Sequence, residues 1–304
     1  MKFLNIEQEL EYRFAQAGPF YHLHTPENFD LIFASDDDFI YGMNLLGLCS
    51  KLSPKMKIYT YELMSNHLHI VVSGEKSEIM EFFLLFKSLL KRQFYSLDRG
   101  IHWDTFTYNL IDILTVDSLQ NTIVYVNKNG YVVNQDITPY SYPWGANRFY
   151  FNDEAKKRYY DCRKNMSLRS ILQISHSRKF DHVSDIYAVD GYISPMCFCQ
   201  IEEGELFFKD AHQYFFKLSK NLSASKEIAN SIGESIYYTD DDLFSLAVKE
   251  AAQKYGSPKL SLLPAQAKVE IARMLHNEYN AGNKQIQRLL HIDKALLDGI
   301  FPKG

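Results

Sequence analysis

The chemistry-bearing residues of this chain concentrate in two short stretches. The first is Met64-Ser65-Asn66-His67-Leu68-His69-Ile70-Val71-Val72, where two histidines are separated by one residue. On a strand such a pair lies on one face, with its backbone positions roughly 7 Å apart, and both imidazoles can turn toward one ion. The second is Tyr125-Val126-Asn127-Lys128-Asn129. On a helix Tyr125 and Asn129 share a face about 6 Å apart, so Asn129 can reach an ion held by His67 and His69 while Tyr125 points at a phosphate bound there. A phenol with a pKa near about 10 is a weak nucleophile and needs a cation or base beside it. Together these residues would suit metal-assisted phosphodiester transfer.

Elements able to position them can be read from periodicity. Phe20–Thr25 reads as a first strand, with a second His-x-His at His22 and His24; these two are expected to be residues of the sheet surface. Asp36-Asp37-Asp38 offers an N-cap for a helix through about Leu48. Lys57–Leu63 alternates and leads into the first histidine stretch, as a hairpin or one long bent strand. Ile79, Phe82, Phe83, Phe86, Leu89, Leu90 and Phe94 have helical spacing and form a core stripe over about 77–97. His102–Ile111 reads as a strand. Thr115–Ser118 caps a helix from Leu119 to about Asn129, closed by Gly130. The expectation is an α+β domain, an antiparallel sheet with helices on one side, ending near residue 151.

The remainder, 152–304, reads as mostly helical, with turn signals at Gly191, Gly204, Gly233 and Gly256. Its end is sharper: Leu263–Tyr279 is helical, Asn280-Ala281-Gly282 turns, Asn283 caps Lys284–Leu290, and Asp293 caps Lys294–Phe301. A long helix followed by two short ones across a tight turn, within about 264–302, is the helix-turn-helix pattern.

Composition narrows the class. The chain has 304 residues, 46% hydrophobic and 14% aromatic, and its four cysteines have no disulfide or zinc spacing. It contains no 18-residue apolar run, and three glutamates fall within the first 14 residues, so no membrane association and a cytoplasmic location are expected. Net charge is −4; residues 1–152 carry 12 Lys and Arg against 17 Asp and Glu, a net of −5. Contact with nucleic acid must therefore use local patches, and divalent cations would offset the acidity. Lys87, Lys91 and Arg92, close together on one helix, are candidate phosphate contacts, with Arg148 and Lys294 elsewhere.

The His67-Leu68-His69 stretch resembles the His-hydrophobic-His motif of single-tyrosine HUH transposases. Phe20–Thr25 is similar to their opening strand. Tyr125–Val133 and Tyr142–Tyr150 resemble the tyrosine helix and following aromatic segment of REP-associated tyrosine transposases. The resemblance spans roughly 10–151. It departs at Ser65, where the family usually has Pro, and at Gly130, where Pro often follows the Asn.

The resemblance implies a ferredoxin-like fold and cleavage and rejoining of single-stranded DNA beside a hairpin. Tyr125 would form a 5′-phosphotyrosine link, and His67, His69 and Asn129 would hold Mg²⁺ or Mn²⁺. Dimerisation is compatible with it. Tyr131 and Tyr140 are the competing tyrosines. Two other classes remain open: a non-catalytic DNA-binding regulator, and a metal-dependent phosphodiesterase in which water is the nucleophile.

Overall fold

The computed structural model describes residues 5–97, 99–133, 142–220, 227–229, 231–232, 238 and 240–302, without the side chains of 130–133, 220 and 241. The chain divides into two compact units, Met1–Gly130 with Asp136–Asn221 and Tyr131–Gln135 with Leu222–Gly304.

The first unit begins with α1 (Ile6–Ala17), β1 (Phe20–His24), α2 (Asp36–Lys51), β2 (Lys57–Leu63), β3 (Leu68–Ser73), α3 (Lys76–Ser96), β4 (Asn109–Ile113) and α4 (Val116–Val133). The four strands form an antiparallel sheet in the order β2-β3-β1-β4, making this an α+β unit. β2 and β3 are a hairpin. Central β1 is buried along its whole length.

Local chemistry explains the boundaries. Ser35 caps α2, and the Asp38 carboxylate returns to the Ser35 and Ala34 N–H groups, with three aspartates in the positive first turn. The seven apolar residues of the α3 stripe are all buried. Thr115 accepts the Ser118 N–H at the start of α4. That helix continues through Gly130, which does not end it. The strand expected over 102–111 is instead a 3₁₀ turn at Trp103–Thr105 followed by the shorter β4, because Trp103 and Phe106 are drawn into an aromatic core with Phe94 and Phe29. Trp144 likewise stacks on Phe39.

Helices cover both faces of the sheet, not one. Neighbouring residues of β2 make this plain: Tyr61 donates to Met43 Sδ on α2, whereas Thr60 donates to Asn127 Oδ1 on α4. A β-bulge at Tyr59-Thr60 sets this phase, since the register passes from Ile58↔Val72 directly to Thr60↔Val71. On the α4 side the cross-strand rows are therefore Thr60, Val71, His22, Ile111 and Glu62, His69, His24, Asn109.

Packing carries the first unit beyond 151, to Asn221. The outer edge of β2 is paired by later segments: Ala146 N–H to Tyr61 O, Leu63 N–H to Trp144 O and Gln200 N–H to Ile58 O. The Tyr150 hydroxyl donates to Tyr59 O, 2.7 Å. Further along are α5 (Asp153–Cys162), β5 (Lys164–Asn165), α6 (Leu168–Ser175), β6 (Tyr187–Val189), β7 (Tyr192–Ile193), α7 (Ile201–Glu205) and α8 (Ala211–Lys220). β5-β6-β7 form a small second sheet where helix was expected, its β6–β7 turn made at Gly191 with φ 92°. Gly204 lies inside α7, and Gly233 lies outside the described residues.

The second unit contains α9 (Asp240–Tyr255), α10 (Ala265–Tyr279), α11 (Asn283–Leu290) and α12 (Lys294–Ile300). Leu243, Ile271, Leu275, Ile286, Leu290 and Leu297 are in its core. Asn280 and His291 close α10 and α11 in the left-handed conformation, and Asp293 caps α12. No helix among the described residues is long and apolar enough to cross a membrane.

Candidate active site

The rows of the sheet place four imidazoles together. His22 and His24 come from β1, His69 from β3, and His67 from the turn just before β3. Ring centroids are 5.1 Å apart for His67–His69, 5.3 Å for His22–His69, 5.3 Å for His22–His24 and 6.1 Å for His24–His69. His22, His24 and His69 are at most 2% exposed, while His67 is half-buried and forms the solvent side of the group. His22 and His24 were expected on the sheet surface as mere polar-face residues. That face is instead covered by α4, and they belong to the same cluster as the His67/His69 pair.

Burial sets the charge state. It pushes His22 down to about 3, His24 to about 4 and His67 to about 4, with His69 well below its ordinary value; neighbouring imidazoles depress His22, His67 and His69 further. All four are neutral near pH 7, the form that ligates metals.

Hydrogen bonds then select tautomers. The Asn66 amide nitrogen donates to the carbonyls of Glu27 and Phe29, so its Oδ1 must face His67 Nδ1, 2.8 Å away. His67 therefore carries its proton on Nδ1 and its lone pair on Nε2. His69 Nδ1 lies 3.1 Å from His22 Nε2. When His69 is the donor of that bond, its Nε2 also carries the lone pair. An imidazole tied at Nδ1 and coordinating through Nε2 is a recurrent arrangement in metal sites.

Tyr125 stands over this group from α4. Its ring centroid is 5.8 Å from that of His69 and 6.1 Å from that of His22, both edge-on, and the residue is 7% exposed. Asn129 follows one turn later on the same face of α4 and is half-buried. Asn127 points elsewhere: it joins Thr60, Tyr214 and Asn147 in a buried chain, donating to the Tyr214 hydroxyl at 2.8 Å, which donates to Asn147 Oδ1 at 2.5 Å. This chain anchors α4 to β2 and α8, fixing the register that brings Tyr125 over the histidines. The side chain of Tyr131 and the whole of Tyr140 lie outside the described residues.

The donor set fits a divalent ion in its chemistry: neutral imidazoles with tied Nδ1 atoms, and Glu62, 2% exposed, in the cross-strand row of His69 and His24. Two imidazoles sharing an ion at ~2.1 Å with a tetrahedral angle have ring centroids ~5 Å apart, as His67 and His69 do. No three His, Cys, Asp or Glu side chains among the described residues converge on one ion position. His22, His24 and Glu62 escape a sequence reading for separate reasons. His22 and His24 lack a motif partner in sequence, and the bulge inverts the parity by which Glu62 would be assigned a face. The short His-x-His on a strand fated to be central was the available signal.

The candidate phosphate contacts are not gathered here. Arg92 donates to the Ser175 carbonyl, and Lys91 Nζ is 3.8 Å from Asp104. Arg148 donates to the Tyr192 hydroxyl at 3.1 Å and approaches Asp190 at 3.9 Å. Lys87 is half-buried on α3, where burial lowers its ammonium pKa, and Lys294 is exposed at the start of α12. No protein-family model, curated protein or solved structure matches the chain.

Proposed function

We propose that the first unit is a ferredoxin-like, single-tyrosine HUH nuclease and transposase domain acting on single-stranded or hairpin DNA. The β1-α2-β2-β3-α3-β4 succession with sheet order β2-β3-β1-β4 is compatible with that fold. The observation that carries the reading is the edge-on placement of Tyr125 on α4 against His69, beside a His67 whose tautomer is fixed by Asn66.

In this reading His67, His69 and Asn129 hold a divalent cation such as Mg²⁺ or Mn²⁺, which supplies Lewis-acid polarisation of the scissile phosphate. Tyr125 Oη forms the new P–O bond as the bond to the 3′-oxygen breaks; the phenol gives its proton to solvent and the departing oxygen takes one up. The 5′-phosphotyrosine conserves the phosphodiester's energy, so the freed 3′-hydroxyl can reseal the strand without a nucleotide cofactor. α10, α11 and α12 serve as a helix-turn-helix, with Lys294 toward phosphate.

The 7% exposure of Tyr125 and the acidity of residues 1–152 favour, as a second reading, a DNA-binding regulator that retains the fold without cutting. A denaturing gel separates the two. Labelled single-stranded hairpins and Mn²⁺ should give a protein–DNA band that is absent with Tyr125→Phe and with His67→Ala. Tight binding without a band supports the regulator, and cleavage surviving Tyr125→Phe makes water the nucleophile.

A further inference from the structure

We propose that the segment from Lys157 to Lys179, which spans the end of α5, β5, α6 and the turn after it, is a binding face for single-stranded nucleic acid, separate from the histidine and tyrosine site. The inference goes beyond the strand-cleavage reading and does not depend on it, since it needs neither Tyr125 nor a metal ion. Charge is the first observation. These 23 residues carry seven Lys and Arg against one Asp, in a chain whose net charge is −4. Arg158 is paired with Asp190 at 2.6 Å. Lys157, Arg163, Lys164, Arg169, Arg178 and Lys179 are exposed, and none of them has a carboxylate partner among the described residues. Arg92 of α3 donates to the Ser175 carbonyl and so brings a further cation to the end of α6. Like charges held this close repel one another and do nothing for the fold, whereas a polyanion laid across them releases its counterions and gains affinity.

An aromatic group set among these cations is the second observation. The Arg163 guanidinium lies over three tyrosine rings, 4.9 Å from Tyr187, 5.2 Å from Tyr160 and 5.6 Å from Tyr159. Tyr159 is buried and roots the group, while Tyr160 is 52% exposed and offers ring surface on which a base can stack. Single-strand sites combine these two features, a basic track for the backbone and aromatic rings for the bases. A duplex hides its base faces, and an anionic membrane has none, so the exposed ring selects the single strand.

Fluorescence anisotropy of the full-length protein in EDTA tests this, with a labelled oligothymidylate of about 20 nucleotides, longer than a typical single-strand site. Raising salt from about 50 to 200 mM should cost about fiftyfold in affinity, the loss for four neutralised phosphates on a single strand. The triple variant Lys164→Ala, Arg169→Ala, Arg178→Ala should lose most of that salt dependence. Tyr160→Ala should bind about fivefold more weakly or worse, and Tyr160→Phe should not. Cys162 is exposed and adjoins Arg163, so it reports on the face without any variant: saturating oligothymidylate should slow its alkylation, read by peptide mass spectrometry. Unchanged affinity in the folded triple variant, duplex bound as tightly as single strand, or Cys162 alkylated equally fast with and without oligothymidylate overturns the proposal. Retention on phosphatidylserine vesicles with no oligothymidylate bound overturns it too, and gives the patch to a membrane surface. Oligonucleotide that shields Cys162 in a protein forming no tyrosine adduct upholds this inference and removes strand cleavage. An adduct with Cys162 unshielded does the reverse.

Discussion

Asn66 holds His67 Nδ1 at 2.8 Å while its own amide nitrogen is held by the backbone carbonyls of Glu27 and Phe29. The loop after β1 therefore dictates which nitrogen of His67 can coordinate. Asn66→Ala removes the acceptor and frees the ring, and should weaken divalent-metal binding about 10- to 100-fold. Isothermal titration with Mn²⁺ measures it, and thermal melts of the two proteins should differ little because Asn66 is half-buried. Unchanged affinity would show that Asn66 does not set the tautomer.

The Thr60–Asn127–Tyr214–Asn147 chain is buried throughout, and its two bonds at Asn127 tie α4 to β2 and α8. Asn127→Ala takes away the acceptor of the Thr60 hydroxyl and a donor to the Tyr214 hydroxyl together, at a cost of about 2–4 kcal/mol. Both tryptophans, Trp103 and Trp144, lie in the first unit, so their fluorescence in a urea titration follows that unit. A lower midpoint with the same slope is expected; a shift below about 0.5 kcal/mol would mean the chain does not anchor α4.

Asp38 gives a pH dependence. Burial alone would raise its carboxyl, but the bidentate Arg99 guanidinium, with two 2.7 Å contacts, and the Ala34 and Ser35 N–H groups hold it below the usual carboxylate range. A carboxyl depressed on folding adds stability that is present above its unfolded pKa and lost as pH falls through the folded one. Asp38→Asn should therefore be about 2–3 kcal/mol less stable at pH 7, and the gap should narrow as pH drops below about 4. Parallel melts from pH 7 to pH 3 check this, and a gap constant with pH contradicts it.

Truncation tests where the first unit ends. A chain stopped after Asn221 keeps Gln200 on β2, Tyr214 on Asn127, and the Gln120 amide on Phe207 O. One stopped at 151 loses all three and uncovers Phe20 and Tyr59, which pack on Phe207. Circular dichroism should find the longer fragment cooperatively folded and the shorter one not. Equal folding of the two would return the boundary to 151.

Much of the fold was legible because its signals are local. The α3 stripe, the α2 and α4 caps, the β2–β3 succession, the turn at Asn280 and the Asp293 cap each follow from residues a few positions apart. The two short motifs that the structure brings together, with Tyr125 beside His69, were legible for the same reason. What stayed hidden depends on distant packing. His22 and His24 became part of the site only when α4 covered their face, and Glu62 joined their row only through the bulge at Tyr59-Thr60. Residues 152–221 read as a separate helical region because their role, closing the edge of β2 and backing α4, is invisible to periodicity.

In the proposed reaction Tyr125 is the nucleophile. Tandem mass spectrometry of the wild-type protein, incubated with a single-stranded hairpin oligonucleotide and Mn²⁺, nuclease-trimmed and digested, tests it most directly. The expected product is a nucleotide phosphate esterified to Tyr125. A nucleotide on Tyr131 or Tyr140, or cleaved DNA with every tyrosine unmodified, would contradict it.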